Sequence, residues 1–144
     1  MQASASALDV QLRAYEVRDV RTLGEALLRI GNENAEAIAI CWDGATLAQA
    51  KPIADFALAR RMPTVAPLRE FANAGALLSL GASLPAERRR SAYFVSRILK
   101  GAKPSDLPVE RPTLFELVLN KRTVQSLGIT VPPALLLQVD DFVE

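Results

Sequence analysis

The sequence contains no histidine and only one cysteine, Cys41, among its 144 residues. Without histidine, neither a histidine-dependent catalytic triad nor an imidazole metal site can form. A single cysteine excludes an intramolecular disulfide and a cysteine zinc cluster. Because Cys41 lies in an apolar run, we expect a buried packing residue rather than a nucleophile.

The sequence also lacks an excess of charge of one sign. Its 17 Lys and Arg residues nearly balance its 16 Asp and Glu residues, and the net charge is +1. Nucleic-acid-binding proteins normally carry a strongly basic surface, so no nucleic-acid partner is expected. The one basic cluster, Arg88 to Arg90, is interpreted as a solvated helix face. The balance of 50% hydrophobic and 23% charged residues is typical of a globular domain.

Targeting and membrane-spanning segments are not recognisable in the sequence. No apolar run reaches the roughly 18 residues that a transmembrane helix needs. The first ten residues, MQASASALDV, lack the basic and apolar regions of a signal peptide. If Met1 is the natural start, these features predict a cytoplasmic protein.

Motifs that support catalysis are missing as well. There is no GxGxxG after a predicted strand, no Walker A loop and no GxSxG elbow. The adjacent Asp140 and Asp141 are interpreted as a solvated pair in an acidic terminus, because acid–base catalysis needs groups placed across a pocket. The sequence therefore predicts a protein that is not an enzyme and that uses no metal or other cofactor.

What the sequence does contain is alternation of short apolar runs with helical patterns, which predicts an α/β fold with a mainly parallel sheet and helices on both faces. The predicted strands are 10–17, 36–42, 64–66, 76–80 and 114–119. The predicted helices are 22–32, 46–61, a turn at 67–71, 84–100, 120–127 and the start of 130–144.

Local signals place several of these boundaries. Thr22 and Glu25 fit a capping box at the start of helix 22–32. Asn120 is expected to cap helix 120–127, and Gly128 to end it. In helix 84–100, Ala92, Val95 and Leu99 recur at helical spacing and are predicted to face inward. Residues 104–112 contain three prolines and are expected to form an extended connector.

The stretch Ala35 to Thr46, AEAIAICWDGAT, reads as a buried strand, a turn and the start of a helix. In open α/β sheets, ligands bind beyond the carboxyl ends of strands, so Asp43 is the first candidate for a functional side chain. The alternative is an aspartate that only caps the helix. Candidate ligand-binding residues near strand ends are Trp42, Asp43, Gly44, Thr46, Arg69, Glu70 and Ser79.

Two of these candidates also have a structural alternative. Arg69 could pair with a ligand carboxylate or with a neighbouring acidic side chain. Trp42 could stack on a ligand or cover the edge of the core. For Arg69, the ion pair with a neighbouring acidic side chain is the favoured interpretation.

The segment from Lys100 onward, KGAKPSDLPVERPTLFELVLNKRTVQSLGITVPPALLLQVDDFVE, resembles the carboxyl-terminal signature of a family of ABC-transporter substrate-binding proteins. Upstream, MPTVAPLREFANAGALLSLG and AEAIAICWDGATLAQAKPIADFALARR resemble further segments of the family's tryptophan/tyrosine-type members. The resemblance extends from about Leu8 to the end and corresponds to the carboxyl-terminal half of those proteins.

The resemblance implies a type I periplasmic-binding fold, in which two α/β lobes close on a small amino-acid-like ligand without catalysis. Residues 8–103 resemble the second lobe, and 104–144 resemble a connector, strand and helices that return toward the first lobe. The resemblance also implies a membrane permease and an ATPase as partners and a periplasmic location. Within the chain itself, 1–144 is predicted to be a single α/β domain.

Three positions depart from the family pattern. Asp43 matches an acidic position that meets the ligand's ammonium group in amino-acid-binding members, but Trp42 and Gly44 replace the Thr and Asn around it. Leu80 stands where members have a tyrosine near the cleft. The ligand is therefore expected to differ in detail.

The resemblance further implies that a strand preceding Leu8 in the family would lie between strands 10–17 and 36–42. Without that strand, backbone groups on both sides lack partners. We predict that strand 114–119 or a second chain fills the gap, the latter giving a strand-exchanged homodimer. The alternative function is a dimeric, stand-alone interaction module that has lost ligand capture.

Overall fold

The computed structural model describes residues 2–144. Its strands are β1 (Ile38–Ala39), β2 (Thr64–Ala66), β3 (Leu78–Ala82), β4 (Phe115–Asn120) and β5 (Asp141–Val143). Its helices are α1 (Gln2–Ala7), α2 (Val20–Asn32), α3 (Gly44–Ala48), α4 (Ala50–Ala59), α5 (Arg69–Ala74), α6 (Leu84–Leu99), α7 (Lys121–Leu127) and α8 (Pro133–Leu136). A short 3₁₀ turn, Pro104–Asp106, lies in the connector between α6 and β4.

The five strands form one sheet in the order β1-β2-β3-β4-β5. β1, β2 and β3 are parallel to one another, β4 is antiparallel to β3, and β5 is parallel to β4. Helical crossovers connect the parallel strands, as parallel pairing requires. The predicted α/β class with a mainly parallel sheet flanked by helices is confirmed.

The core lies between one face of the sheet and helices α2, α4 and α5. One buried cluster joins α4 and β2 to Phe71 of α5, which is completely buried. A second cluster joins Ile30 of α2 to Ile38 of β1 and Ala57 of α4. On the opposite face of β2 and β3, Val65 and Leu80 are exposed. The core is therefore concentrated on one side of β1 to β3.

Several predicted helix ends are confirmed, because their signals are local. Asn120 caps α7 by accepting a hydrogen bond from the Thr123 amide at 2.8 Å. Its side-chain amide also donates to the Ala72 carbonyl at 2.9 Å, which ties β4 to α5. Gly128 ends α7 in the left-handed conformation, with φ of 69°, where glycine carries no steric penalty.

The predicted start of α2 and the predicted structure before it are wrong. Asp19, rather than Thr22, is the N-cap, and Thr22 completes the capping box from the third helical position. Residues 10–17 were expected to form a strand, but the structure assigns none there. Without a neighbouring strand, this segment has no backbone ladder to join.

The strand predicted at 36–42 is also shorter and more exposed than expected. Only Ile38 and Ala39 of 36–42 form a strand, and Cys41, expected to be buried, is exposed. The helix predicted for 46–61 is divided into α3 and α4, with a break at Gln49. The exposure of Cys41 is consistent with its position beyond the end of β1.

Two predictions about packing are also wrong. The face of α6 that carries Val95 and Leu99 was expected to point inward, but these side chains are 55% and 82% exposed. Strand 114–119 was one of the two candidates expected to fill the gap beside 36–42, yet β4 pairs with β3 and β5 at the opposite end of the sheet from β1. In the segment 130–144, α8 is followed by strand β5.

Candidate ligand-binding edge

The carboxyl ends of β1, β2 and β3 meet at one edge of the sheet, because the three strands are parallel. β4 is antiparallel to β3, with Phe115 opposite Ala82, so its amino-terminal end lies at the same edge. β5 is parallel to β4 and also begins there. Ligands of open α/β sheets bind at such an edge.

The close approach of two loops shapes this edge. A Cβ atom added to Gly81, near the end of β3, would lie 1.7 Å from the Pro67 carbonyl oxygen. The loop after β2 therefore passes directly over the end of β3. Only glycine fits at position 81 without moving backbone.

Asp43 follows β1 and is the N-cap of α3. Its carboxylate accepts a hydrogen bond from the Thr46 amide at 2.8 Å, and its own amide donates to the Thr46 hydroxyl at 2.8 Å. The Thr46 amide lowers the pKa of Asp43 below its ordinary value. At neutral pH, Asp43 is therefore an exposed, ionised carboxylate at the candidate edge, and it is also the helix cap.

The neighbours of Asp43 differ in their accessibility. Trp42 is 48% exposed, and Gly44 is also exposed, as the first residue of α3. A Cβ added to Gly44 would contact nothing within 4 Å. Thr46 is buried, and its hydroxyl is engaged in the cap. Trp42 and Asp43 are therefore available to a ligand, whereas Thr46 positions Asp43.

Arg69, the first residue of α5, is held by two carboxylates. Its Nε and Nη2 donate to Glu116 of β4 at 3.0 and 2.7 Å, and its Nη1 donates to Asp141 of β5 at 2.7 Å. The hydrogen bonds that Arg69 donates to Asp141 and Glu116 raise the pKa of Arg69, so its charge is permanent. Arg69 therefore connects α5 to β4 and β5 through hydrogen-bonded ion pairs.

The two carboxylates are correspondingly stabilised in their ionised forms. Hydrogen bonds from Ser83 and then from Arg69 lower the pKa of Glu116. Arg69 and the Phe142 amide lower the pKa of Asp141. Glu116, Ser83 and Asp141 were not predicted as edge residues, although Glu116 is the one charge within an apolar run, which was the available signal.

The last two predicted residues occupy different surroundings. Glu70, in the first turn of α5, is partly exposed. Ser79 is 1% exposed, and its hydroxyl has no hydrogen-bond partner. It lies opposite Ala66 and Val118 in the sheet, which are also buried. The structure thus brings six of the seven candidates to strand or helix ends and places Ser79 within the core.

Within residues 2–144, no group of three or more acidic or cysteine side chains could hold a metal ion. No helix in the same part of the chain is long and apolar enough to cross a membrane. The accessible groups at the edge include the Asp43 carboxylate and the Trp42 indole, and carboxylates and aromatic rings are groups that proteins commonly use to bind cations.

A combination of an α/β fold with polar groups at one sheet edge is common in domains that bind small ligands. The chain matches the family model for ABC transporter substrate-binding proteins over residues 1–143. It therefore belongs to the ABC transporter substrate-binding protein family, and the predicted resemblance is confirmed. No curated protein sequence matches the chain significantly.

Three solved structures are similar. A conserved domain protein from Vibrio cholerae has a TM-score of 0.89 and 23% identity, covering 99% of this chain and 48% of that one. An ABC domain from Streptococcus pneumonia, solved in complex with L-Trp, has a TM-score of 0.89 and 20% identity, covering 98% and 48%. The ligand-free, open substrate-binding protein CD0873 from Clostridium difficile has a TM-score of 0.68 and 15% identity, covering 99% and 47%.

The identities are below 25%, so these similarities establish the fold alone. The chain spans about half the length of each of these structures. The family is one of substrate-binding proteins of ABC transporters.

Proposed function

We propose that this chain forms one lobe of the solute-binding component of an ABC-type uptake transporter and binds a small amino-acid-like ligand without catalysing a reaction. The observation that carries the proposal is Asp43, an ionised and exposed carboxylate at the carboxyl edge of the parallel strands. An ammonium group is the natural partner of such a carboxylate. The L-Trp bound to the Streptococcus pneumonia domain supports an amino-acid ligand.

The remaining edge residues have distinct roles in this proposal. Trp42 offers an aromatic face to the ligand, and Gly44 leaves space beside Asp43. Thr46 orients Asp43, while Arg69 and Glu70 lie at the rim contributed by α5. Ser79 supports the strand from within the core. The permease and ATPase of the transporter are the proposed partners, and the periplasm is the proposed location.

The proposed extent of the lobe follows the family resemblance. Residues 8–103 would belong mainly to the second lobe, and 104–144 would return toward the first. The connector begins at the end of α6 and leads back into the sheet at β4. This path supports the assignment, because it separates residues 8–103 from the elements that follow.

Ligand binding is tested by titrating L-tryptophan, other amino acids and small carboxylates while measuring the melting temperature. A ligand that binds the native state raises the melting temperature with the logarithm of its excess. In Asp43→Asn, the helix cap is preserved because asparagine caps as well as aspartate, but the charge is removed. We expect the unliganded variant to melt like the parent and to lose the ligand-induced shift.

Asp55→Asn is the matched control, because it also removes an exposed carboxylate charge but lies within α4, outside the candidate edge. If none of the compounds shifts the melting temperature of the parent, ligand capture by this lobe alone is refuted. If a ligand shifts the parent and Asp43→Asn equally, Asp43 is not the binding group.

The second candidate function is a dimeric interaction module, favoured by the open outer edge of β1. The amides of Ile38 and Ile40 donate to the Pro63 and Val65 carbonyls of the β2 segment. Since successive backbone groups point in opposite directions, those of Ala39 point away from β2, and within residues 2–144 no strand lies on that side. We propose that a strand from a second chain can occupy this edge, giving a homodimer. Light scattering that gives a stable 15.6 kDa monomer would contradict this.

A further inference from the structure

A cavity of about 390 Å³ lies between the first half of α6 and the part of the connector that leads into β4. Its volume is within the roughly 300–1,000 Å³ of pockets that bind small molecules. The cavity shares no lining residue with the candidate ligand-binding edge, so Asp43 and its neighbours do not account for it. It is therefore a separate place at which this chain can hold a solute.

One side of the cavity is held together by Arg90 of α6 and Glu110 of the connector. The Arg90 Nε donates to Glu110 Oε2 at 2.6 Å, and the Arg90 Nη2 donates to Glu110 Oε1. The Arg90 guanidinium also lies 4.2 Å from the centre of the Tyr93 ring, which is a cation–π contact. Arg90 therefore fixes the connector to the helix, and its charge is already compensated.

Two further arginines line the cavity without such partners. Arg89 belongs to α6 and Arg111 to the connector, so they come from opposite walls. Within residues 2–144, the side chain of neither forms a hydrogen bond or an ion pair. Glu87 is the one lining carboxylate that Arg90 does not hold, so two guanidiniums against one carboxylate leave a net charge of +1. The cavity therefore favours an anion.

The arrangement of donors indicates the kind of anion. A guanidinium binds the oxygens of a carboxylate or phosphate through two parallel N–H groups. Two guanidiniums from different walls match the three free oxygens of a phosphate monoester better than the two oxygens of a carboxylate. Tyr93 and Leu114 also line the cavity and offer an aromatic ring and an aliphatic side chain to the organic part of such a ligand.

We propose that this cavity is a binding site for a small phosphate monoester, with the phosphate held between Arg89 and Arg111. The bound phosphate joins α6 to the connector, beside the link that Arg90 and Glu110 already make. Binding at this site does not require Asp43 and is independent of the ligand proposed for the sheet edge.

The test is isothermal titration calorimetry of the whole chain with phenyl phosphate, inorganic phosphate and acetate, at neutral pH and constant ionic strength. We expect phenyl phosphate to bind one to one, inorganic phosphate to bind more weakly because it lacks the ring, and acetate not to bind. The double variant Arg89→Gln/Arg111→Gln should weaken phenyl phosphate at least about tenfold. Its melting temperature without ligand should equal that of the parent, because both side chains are exposed.

The matched control is Arg88→Gln/Arg97→Gln, which removes two exposed guanidiniums from α6 that do not line the cavity. It should bind phenyl phosphate as the parent does. An equal loss in the two double variants would show only general attraction between charges and would overturn the proposal. The absence of phenyl phosphate binding, binding that the Arg89→Gln/Arg111→Gln protein retains, or acetate binding of equal strength would also overturn it.

Discussion

Replacing Gly81 with alanine tests whether the packing of the edge loops depends on the absence of a side chain. The added Cβ would lie 1.7 Å from the Pro67 carbonyl oxygen and 2.7 Å from its carbonyl carbon. Both are backbone atoms, so no side-chain rotation can relieve the overlap. The loop between β2 and α5 must move away from the end of β3.

The expected cost follows from overpacking in well-packed regions, which is about 1–3 kcal/mol and occasionally more. Because the overlap involves backbone, we expect Gly81→Ala to lie at the upper end, at about 3 kcal/mol. For a domain of this size, 1 kcal/mol corresponds to about 3–4 °C in melting temperature. The variant should therefore melt about 10 °C below the parent.

Thermal and urea unfolding followed by circular dichroism provide the measurement. Gly24→Ala is the control, because Gly24 lies within α2 and an added Cβ there meets nothing within 4 Å. That change should stabilise the protein by about 0.5–1 kcal/mol, since alanine favours helix more than glycine. A Gly81→Ala protein that unfolds within about 0.5 kcal/mol of the parent would refute the proposed loop contact.

Three further predictions follow from polar side chains. Asn120→Ala should cost about 2–4 kcal/mol, because a buried carbonyl and a buried amide each lose their partner; in urea unfolding, a loss below about 1 kcal/mol would contradict the dual contact. Ser79→Ala should be neutral or stabilising, because it removes a buried hydroxyl without a hydrogen bond, and a clear loss of stability would show that the hydroxyl has a partner. The pKa values of Glu116 and Asp141 are lowered in the folded state, so their stabilisation is present above the unfolded values and is lost as pH falls through the folded ones. Arg69→Met should flatten this acid dependence, measured by urea unfolding between neutral pH and pH of about 3; an unchanged slope would argue against the ion pairs.

Local signals in the sequence were sufficient for part of the fold. The α/β class follows from alternating apolar runs and helical patterns, and it was predicted correctly. Asn120 and Gly128 mark the ends of α7, because capping depends on residues only a few positions apart. The sequence also placed Asp43 between a strand and the start of a helix, and its geometry is compatible with both predicted roles, the helix cap and the ligand-binding carboxylate.

Tertiary structure decided the features that depend on distant residues. Arg69 pairs with Asp141, which lies 72 positions away, so no local pattern could predict this partner. The contact between Gly81 and Pro67 arises only when β3 and the loop after β2 pack together.

Exposure was the property that the sequence predicted least well. Helical spacing identified an apolar face on α6, but spacing gives the side of a helix and not what covers it. In this structure nothing within the described chain covers that face, and Leu99 is 82% exposed. Cys41 is exposed for a similar reason, because the strand it was predicted to join ends at Ala39. The sequence by itself determined which residues could be buried, whereas the arrangement of the sheet and its helices decided which of them are.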